Sequence, residues 1–197
     1  MGRKAFKDDS SFLFMKWWVV SLVVLVVLVG LLFGYFLFFS PGYGAAYDAL
    51  LASGELQNPV ASLSVEEAVA QFDERYVYYL LVLIKAYNLH NPPLSGDTPK
   101  FNVVVEDVSY RVVVDGGVIA VEKGNFEESD VVIYSTRLEL VRMLKDESYT
   151  KQSFGEGLSR IELVADSTTL ASKGYLGMYN AVSDGSVTGN VVRLYTG

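Results

Sequence analysis

The chain contains no cysteine. That excludes disulfides, thiolate catalysis, iron–sulfur clusters and Cys-type zinc sites. Its single histidine, His90, rules out a multi-histidine metal site and leaves little for a histidine-based proton relay. No Asn-x-Ser/Thr sequon occurs, so N-glycosylation is not signalled. Five prolines and 17 glycines in 197 residues are too few for a collagen-like or low-complexity chain. Positive charge is also short, with 16 Lys+Arg against 23 Asp+Glu and a net charge of −7. Arg3, Lys4, Lys7 and Lys16 outnumber Asp8 and Asp9 in the first 40 residues, which leaves 12 basic and 21 acidic residues for the rest. An acidic body argues against nucleic acid as a partner, because phosphate binding needs clustered Lys and Arg.

What the chain has in excess is apolar surface: 51% of its residues are hydrophobic, and the surplus is local. Residues 17–39, WWVVSLVVLVVLVGLLFGYFLFF, carry no charge. As a helix they would extend roughly 34 Å, enough to cross a bilayer core of about 30 Å. Trp17 and Trp18 at one end, and Tyr35 and Tyr43 near the other, suit the two interfaces. All four early cations precede this run and the next is Arg75, which predicts a cytoplasmic N-terminus and an external body. A cleaved signal peptide is the rival, with Gly44-Ala45-Ala46 as a possible cleavage region. The apolar run is longer than the usual signal core, so an uncleaved anchor is expected. Gly30 and Gly34 form a G-x-x-x-G pair that permits close helix approach, and with it a homodimer or a larger membrane assembly. Two glycines facing lipid are the plainer account. The expected organisation is a basic head at 1–16, a transmembrane helix at 17–39, a juxtamembrane linker at 40–62 with a short helix near 45–52, and an extracytoplasmic domain at 63–197.

Within the body, Ser64 and Glu67 form a capping box that opens a helix. The pattern continues to residue 84 and ends in YVYYLLVLI, apolar nearly all round and too short to span a membrane. A β region follows. Strands are expected at 101–106, 109–114, 118–123 and 130–135, with Asp115-Gly116-Gly117 and Gly124-Asn125 as turns. Thr136 and Glu139 suggest a second capping box on a short helix. Residues 149–157 form a polar loop, 158–165 alternate as a half-buried strand, and Asp166 or Ser167 caps one last helix. The buried face of that helix is expected to be Ala171, Tyr175, Met178, Tyr179 and Val182. Residues 190–196 could add an end strand. No internal repeat is present. The order predicts an α+β domain with a mostly antiparallel sheet of about five strands and helices packed on one face, preceded by a single transmembrane helix.

The strand–Asp115-Gly116-Gly117–strand unit, the run DVVIYSTRLELVRMLKD from Asp130, and FGEGLxxIELVAD from Phe154 followed by a helix resemble sterol-carrier-protein-type lipid-binding domains. The resemblance covers roughly residues 65–182. It departs from the family pattern at Val164-Ala165-Asp166, where a Gly often precedes the Asp, and at Lys145-Asp146-Glu147, where a Gly usually ends the short helix. It implies a five-stranded sheet with helices on one face, enclosing an apolar tunnel for a membrane lipid or isoprenoid-like ligand. The lining would be Tyr76, Tyr79, Leu80, Leu83, Tyr134, Val141, Leu144, Ile161, Leu163, Ala171, Tyr175, Met178 and Tyr179. The same tyrosine and methionine stripes are also what an ordinary filled core presents.

Other constellations point to no chemistry. Gly155-Glu156-Gly157 lacks the Lys-Ser/Thr of a phosphate loop. Glu127, Glu128 and Asp130, and likewise Asp146 and Glu147, lack cation-loop spacing and read as solvated faces. Ser153, Ser159 and Ser167 have no evident histidine to activate them. His90 reads as an exposed residue at a helix end. Gly174 and Gly177 in the last helix suggest close packing or a flexible lid. No catalytic set, metal site or cofactor is expected. The leading expectation is a membrane-tethered lipid-binding module. The alternative is a non-catalytic structural or interaction subunit of a membrane assembly, using the same fold as scaffold.

Overall fold

The computed structural model describes residues 21–31, 44–92 and 95–182. The chain divides into two units, Met1–Pro41 and Gly42–Gly197. In the first, residues 21–31 are helical and their side chains are exposed. No helix among the described residues is long and apolar enough to cross a membrane. The expected transmembrane helix is therefore not seen: the described helix is only its middle, and residues 17–20 and 32–39 lie outside the described set. So do the basic head, Gly34 and the expected end strand at 190–196. A Cβ built on Gly30 would meet nothing within 4 Å.

In the second unit, helix α1 (Gly44–Ser53) falls inside the segment expected as a linker. Its Tyr47 stacks on Tyr87 with ring centroids 4.6 Å apart and planes 9° from parallel. In the turn that follows, Val60 is fully buried. Helix α2 (Val65–Ala70) starts with the complete Ser64/Glu67 capping box. The single helix expected from 64 to 84 is broken in two here, because Asp73 begins a new one. Its carboxylate accepts the Arg75 N–H and caps α3 (Glu74–Leu83). Phe72, in the break, packs on Tyr76 and on Tyr110 of the sheet, at 5.1 and 6.5 Å between centroids. Six of the ten α3 residues are buried, as its all-round apolar sequence requires. Lys85 closes α3 in the left-handed region (φ 60°), and a 3₁₀ turn follows at Ala86–Asn88.

Five strands follow as β1 (Lys100–Val105), β2 (Val108–Asp115), β3 (Val118–Lys123), β4 (Val131–Ser135) and β5 (Arg160–Leu163). Their spatial order is β3-β2-β1-β4-β5. The sheet is mixed rather than mostly antiparallel, because central strands β1 and β4 run parallel, Phe101 opposite Val131 and Val105 opposite Ser135. The cause is the connection after β3. Residues 124–130 cross back beneath β1 so that β4 starts where β1 starts. Asn102 guides this crossing: its side-chain amide donates to the Phe126 carbonyl at 3.0 Å and accepts the Phe126 N–H at 2.9 Å. Tight turns alone suggest a simple meander and do not reveal this.

One sheet face is dry. Phe101, Val103, Val105, Val112, Val114, Val131 and Ile133 have no exposure. The other carries exposed Arg111, Glu122, Arg160 and Glu162. The α+β fold with five strands and helices thus matches the expectation from sequence. Thr136 caps helix α4 (Arg137–Lys145) by accepting the Glu139 N–H, but Glu139 does not reach back to complete the second box. Helix α5 (Tyr149–Gly155) replaces the expected polar loop. Asp146 nucleates it by accepting both the N–H and the hydroxyl of Ser148.

The expected last helix is also two: α6 (Ser167–Ser172), capped by Asp166, and α7 (Tyr175–Val182). Gly174 separates them at φ +84°, and a Cβ there would lie 3.2 Å from the His90 ring. This break rotates the buried face, so Leu170 is buried and Ala171 is exposed. Gly177 by contrast faces open space at a helical position. Gly174→Ala should therefore destabilise the fold by about 1–2 kcal/mol, and Gly177→Ala should stabilise it by about 0.5–1 kcal/mol. Urea unfolding midpoints of the two variants should move in opposite directions.

Candidate functional site

The candidate site is the apolar layer between the helices and the dry sheet face. Tyr76, Tyr79 and Leu80 from α3, Val141 and Leu144 from α4, and Tyr175 and Met178 from α7 are all buried in one apolar cluster. Leu83, Ile161 and Leu163 pack against it half-buried. These ten residues of the sequence-derived lining therefore come together. Three do not. Tyr134 sits on the opposite face of the sheet, beneath the Arg160 guanidinium at 4.2 Å from its ring centre, because strand residues alternate and Ile133 takes the inner position. Ala171 is exposed through the break at Gly174. Tyr179 is half-buried and lies outside the cluster.

Phenol groups in and around this layer are held neutral. Burial raises the pKa of Tyr76, Tyr79, Tyr87 and Tyr110 above the ordinary tyrosine value. Burial, with a hydrogen bond to Tyr47, pushes Tyr78 up to about 12. The layer is thus an apolar medium bordered by neutral hydroxyls. That combination is the chemistry suited to a hydrocarbon chain with a small polar head.

Two buried polar clusters flank the layer at the two ends of β4, and sequence reasoning missed both. At the start of β4, Asp130 is buried rather than part of a solvated acidic face. Its carboxylate accepts from the Lys173 ammonium at 2.9 and 3.0 Å, the Tyr175 hydroxyl at 2.9 Å and the Lys100 N–H at 3.0 Å. Lys173 has no exposed side-chain surface and also meets the half-exposed Asp97 carboxylate at 2.8 Å. Burial by itself would lower the Lys173 pKa; the carboxylates of Asp97 and Asp130 outweigh it and hold it above the usual lysine value. Burial, reinforced by the Asp130 charge, drives the Tyr175 phenol far above its usual value.

At the far end, Ser135 and Ser159 share a hydrogen bond of 2.8 Å, and Ser159 and Ser153 share one of 3.0 Å. The Ser153 and Tyr149 hydroxyls donate to one Glu139 oxygen at 3.0 and 2.8 Å, and Arg142 donates to the other at 3.1 Å. These bonds explain why Glu139 does not complete a capping box and why residues 149–155 fold back as a helix. The described hydrogen bonds link Ser153 and Ser159 to Glu139. His90 lies elsewhere, its Nδ1 3.1 Å from the Asn88 carbonyl. No group of His, Cys, Asp and Glu that could hold a metal ion occurs among the described residues. The signal that could have exposed both clusters is their position: a polar residue stands at each end of the run VVIY in a strand that has to be buried.

No protein-family model and no curated protein matches the chain. Among solved structures, the chain is similar over 73% of its length to 93% of UbiJ-SCP2, a ubiquinone synthesis protein, at 13% identity and a TM-score of 0.31. It is also similar over 60% of its length to a double mutant of the sec-alkyl sulfatase PisA1, at 16% identity and a TM-score of 0.37. The chain spans 17% of the sulfatase. At these scores neither likeness carries a function.

Breaking the Asp130–Lys173 pair strands a buried charge, so Asp130→Asn or Lys173→Met should each cost about 3–5 kcal/mol. The double variant should cost clearly less than the sum, as a double-mutant cycle by urea unfolding would measure. Both raised groups hold their protons longer folded than unfolded. Their contribution to stability is therefore whole below the ordinary tyrosine and lysine values, about 10, and is lost as pH rises through the raised folded values. Stability measured from pH 8 to 11 should fall, and it should fall less steeply in the variant Lys173→Met/Tyr175→Phe.

Proposed function

We propose that this chain is a membrane-tethered lipid-binding module that holds an apolar ligand between its helices and the inner face of its sheet. The observation that supports the reading best is the continuity of the apolar layer. A helix buried on most of its surface, α3, lies with α4 and α7 against an uncharged strand face, and the buried charged groups, Asp130, Lys173 and Glu139, lie at the two ends of β4. Such a layer suits an amphiphile, which places its chain in the middle and its head near one polar end. The tether rests on the uncharged run at 17–39, and the orientation on the four cations that precede it. An anchor of this kind keeps the module at high effective concentration beside the bilayer from which it would draw lipid. The reading assigns no catalysis, metal or cofactor.

Native mass spectrometry of the full chain, after exposure to a total lipid extract, tests this. One discrete lipid adduct is expected. Val141→Phe, which fills the layer, should abolish the adduct, whereas exposed Leu176→Ser should keep it. An adduct that survives in both variants is lipid clinging to the apolar N-terminal segment and counts against the reading. A bare mass would leave the structural-subunit alternative standing. Orientation is checked separately: protease added outside intact cells should remove the body, and protease added to inside-out vesicles should leave it whole.

A further inference from the structure

The C-terminal helices are fastened to the domain mainly at one turn. The Lys173 ammonium lies between Asp97 and Asp130, and its carbonyl accepts the His90 N–H at 3.2 Å. Gly174 follows in a left-handed conformation, flush against the His90 ring, and the Tyr175 hydroxyl reaches Asp130. Upstream, the chain leaves β5 at a firm point, where the Val164 and Ala165 N–H groups donate to the Asp130 carbonyl at 3.0 and 2.9 Å. Between that point and residue 182 lie two helices of six and eight residues. Helices this short have no stability of their own. They hold their place through a few buried side chains, Leu170, Tyr175, Met178 and Val182, and through the charged fastening at Lys173.

We propose that α6 and α7 lift away as one unit, hinged at the end of β5, with the Lys173 ammonium as the pin that keeps them down. The pin has unequal partners. Asp130 is fixed in the sheet, while the Asp97 carboxylate is 55% exposed on the loop at 95–99. Drawing Lys173 out uncovers both carboxylates together and frees the inner face of α7, so release of the pin and exposure of the apolar layer are one event. Local opening of this kind is carried by elements with small buried faces. The opening stands on this geometry. Its role as the entrance for a lipid rests on the function proposed above.

Hydrogen exchange of the full chain, read by mass spectrometry without added lipid, tests it. In Lys173→Met, amides in 167–182 should exchange roughly tenfold faster or more and stay ahead of those of β1 and β2, whose rates rise only with the global loss of stability expected of this variant. Asp97→Asn removes only the exposed partner and leaves the buried pair intact. It should speed the same segment several-fold and nothing else. Unchanged exchange in 167–182 in both variants, or protection of 167–182 equal to that of β1 and β2 in the unaltered chain, overturns the proposal. Because no lipid enters this measurement, its failure is separate from a failure to find a lipid adduct.

Discussion

The domain depends on one buried carboxylate. Asp130 touches β1 through the Lys100 N–H and carbonyl, β5 through the Val164 and Ala165 N–H groups, and the C-terminal helices through Lys173 and Tyr175. A charge removed from water is tolerated only when it is neutralised and its lone pairs are occupied. Here that condition brings β1 and the C-terminal helices to the carboxylate, while the backbone carbonyl of the same residue takes the Val164 and Ala165 N–H groups. The cost of burying one charge thus becomes a constraint on topology, because the carboxylate is satisfied only with β1 and α6–α7 around the start of β4.

Polar side chains divide the molecule into its pieces, while apolar side chains decide which way the pieces face. Asp73, Asp146 and Asp166 each start a helix by accepting backbone N–H groups, and Asn102 ties down the crossing that makes the sheet mixed. The helix ends borrow from distant residues too. Glu106, in the turn between β1 and β2, accepts the Arg137 N–H at the start of α4, and Asn58 donates to the Leu144 carbonyl near its end. These bonds stitch an apolar layer that by itself has little directional preference.

Much of this was legible in the residues. The Ser64/Glu67 box, the buried character of α3, the Gly116–Gly117 turn and the β1–β2–β3 run all follow from local pattern, and local pattern is what a sequence displays. The breaks were not legible, because Asp73 and Gly174 sit inside amphipathic periods that continue on either side of them. Whether such a residue interrupts a helix depends on its tertiary neighbours, Tyr110 across from Phe72 and His90 against Gly174. The same holds for the site. Ten of the thirteen residues named through the resemblance lie in or against the apolar layer. Tyr134 was misplaced because a run of four apolar strand residues conceals which pleat faces inward. Asp130 beside Glu127 and Glu128 looks like one more surface acid until Lys173, 43 residues away, is brought to it.

Strand β4 shows what its polar ends accomplish. A pleated strand has a repeat of two, so Val131 and Ile133 could be buried just as well with β4 slid by two residues along β1. Apolar packing hardly distinguishes those alignments. The ends do: a slide of two residues carries Asp130 away from Lys173 and Tyr175, and Ser135 away from Ser159, by roughly 7 Å. The two clusters act as stops on a ruler, and a chain trapped in the shifted alignment would reveal itself by a buried lysine left with the half-exposed Asp97 alone.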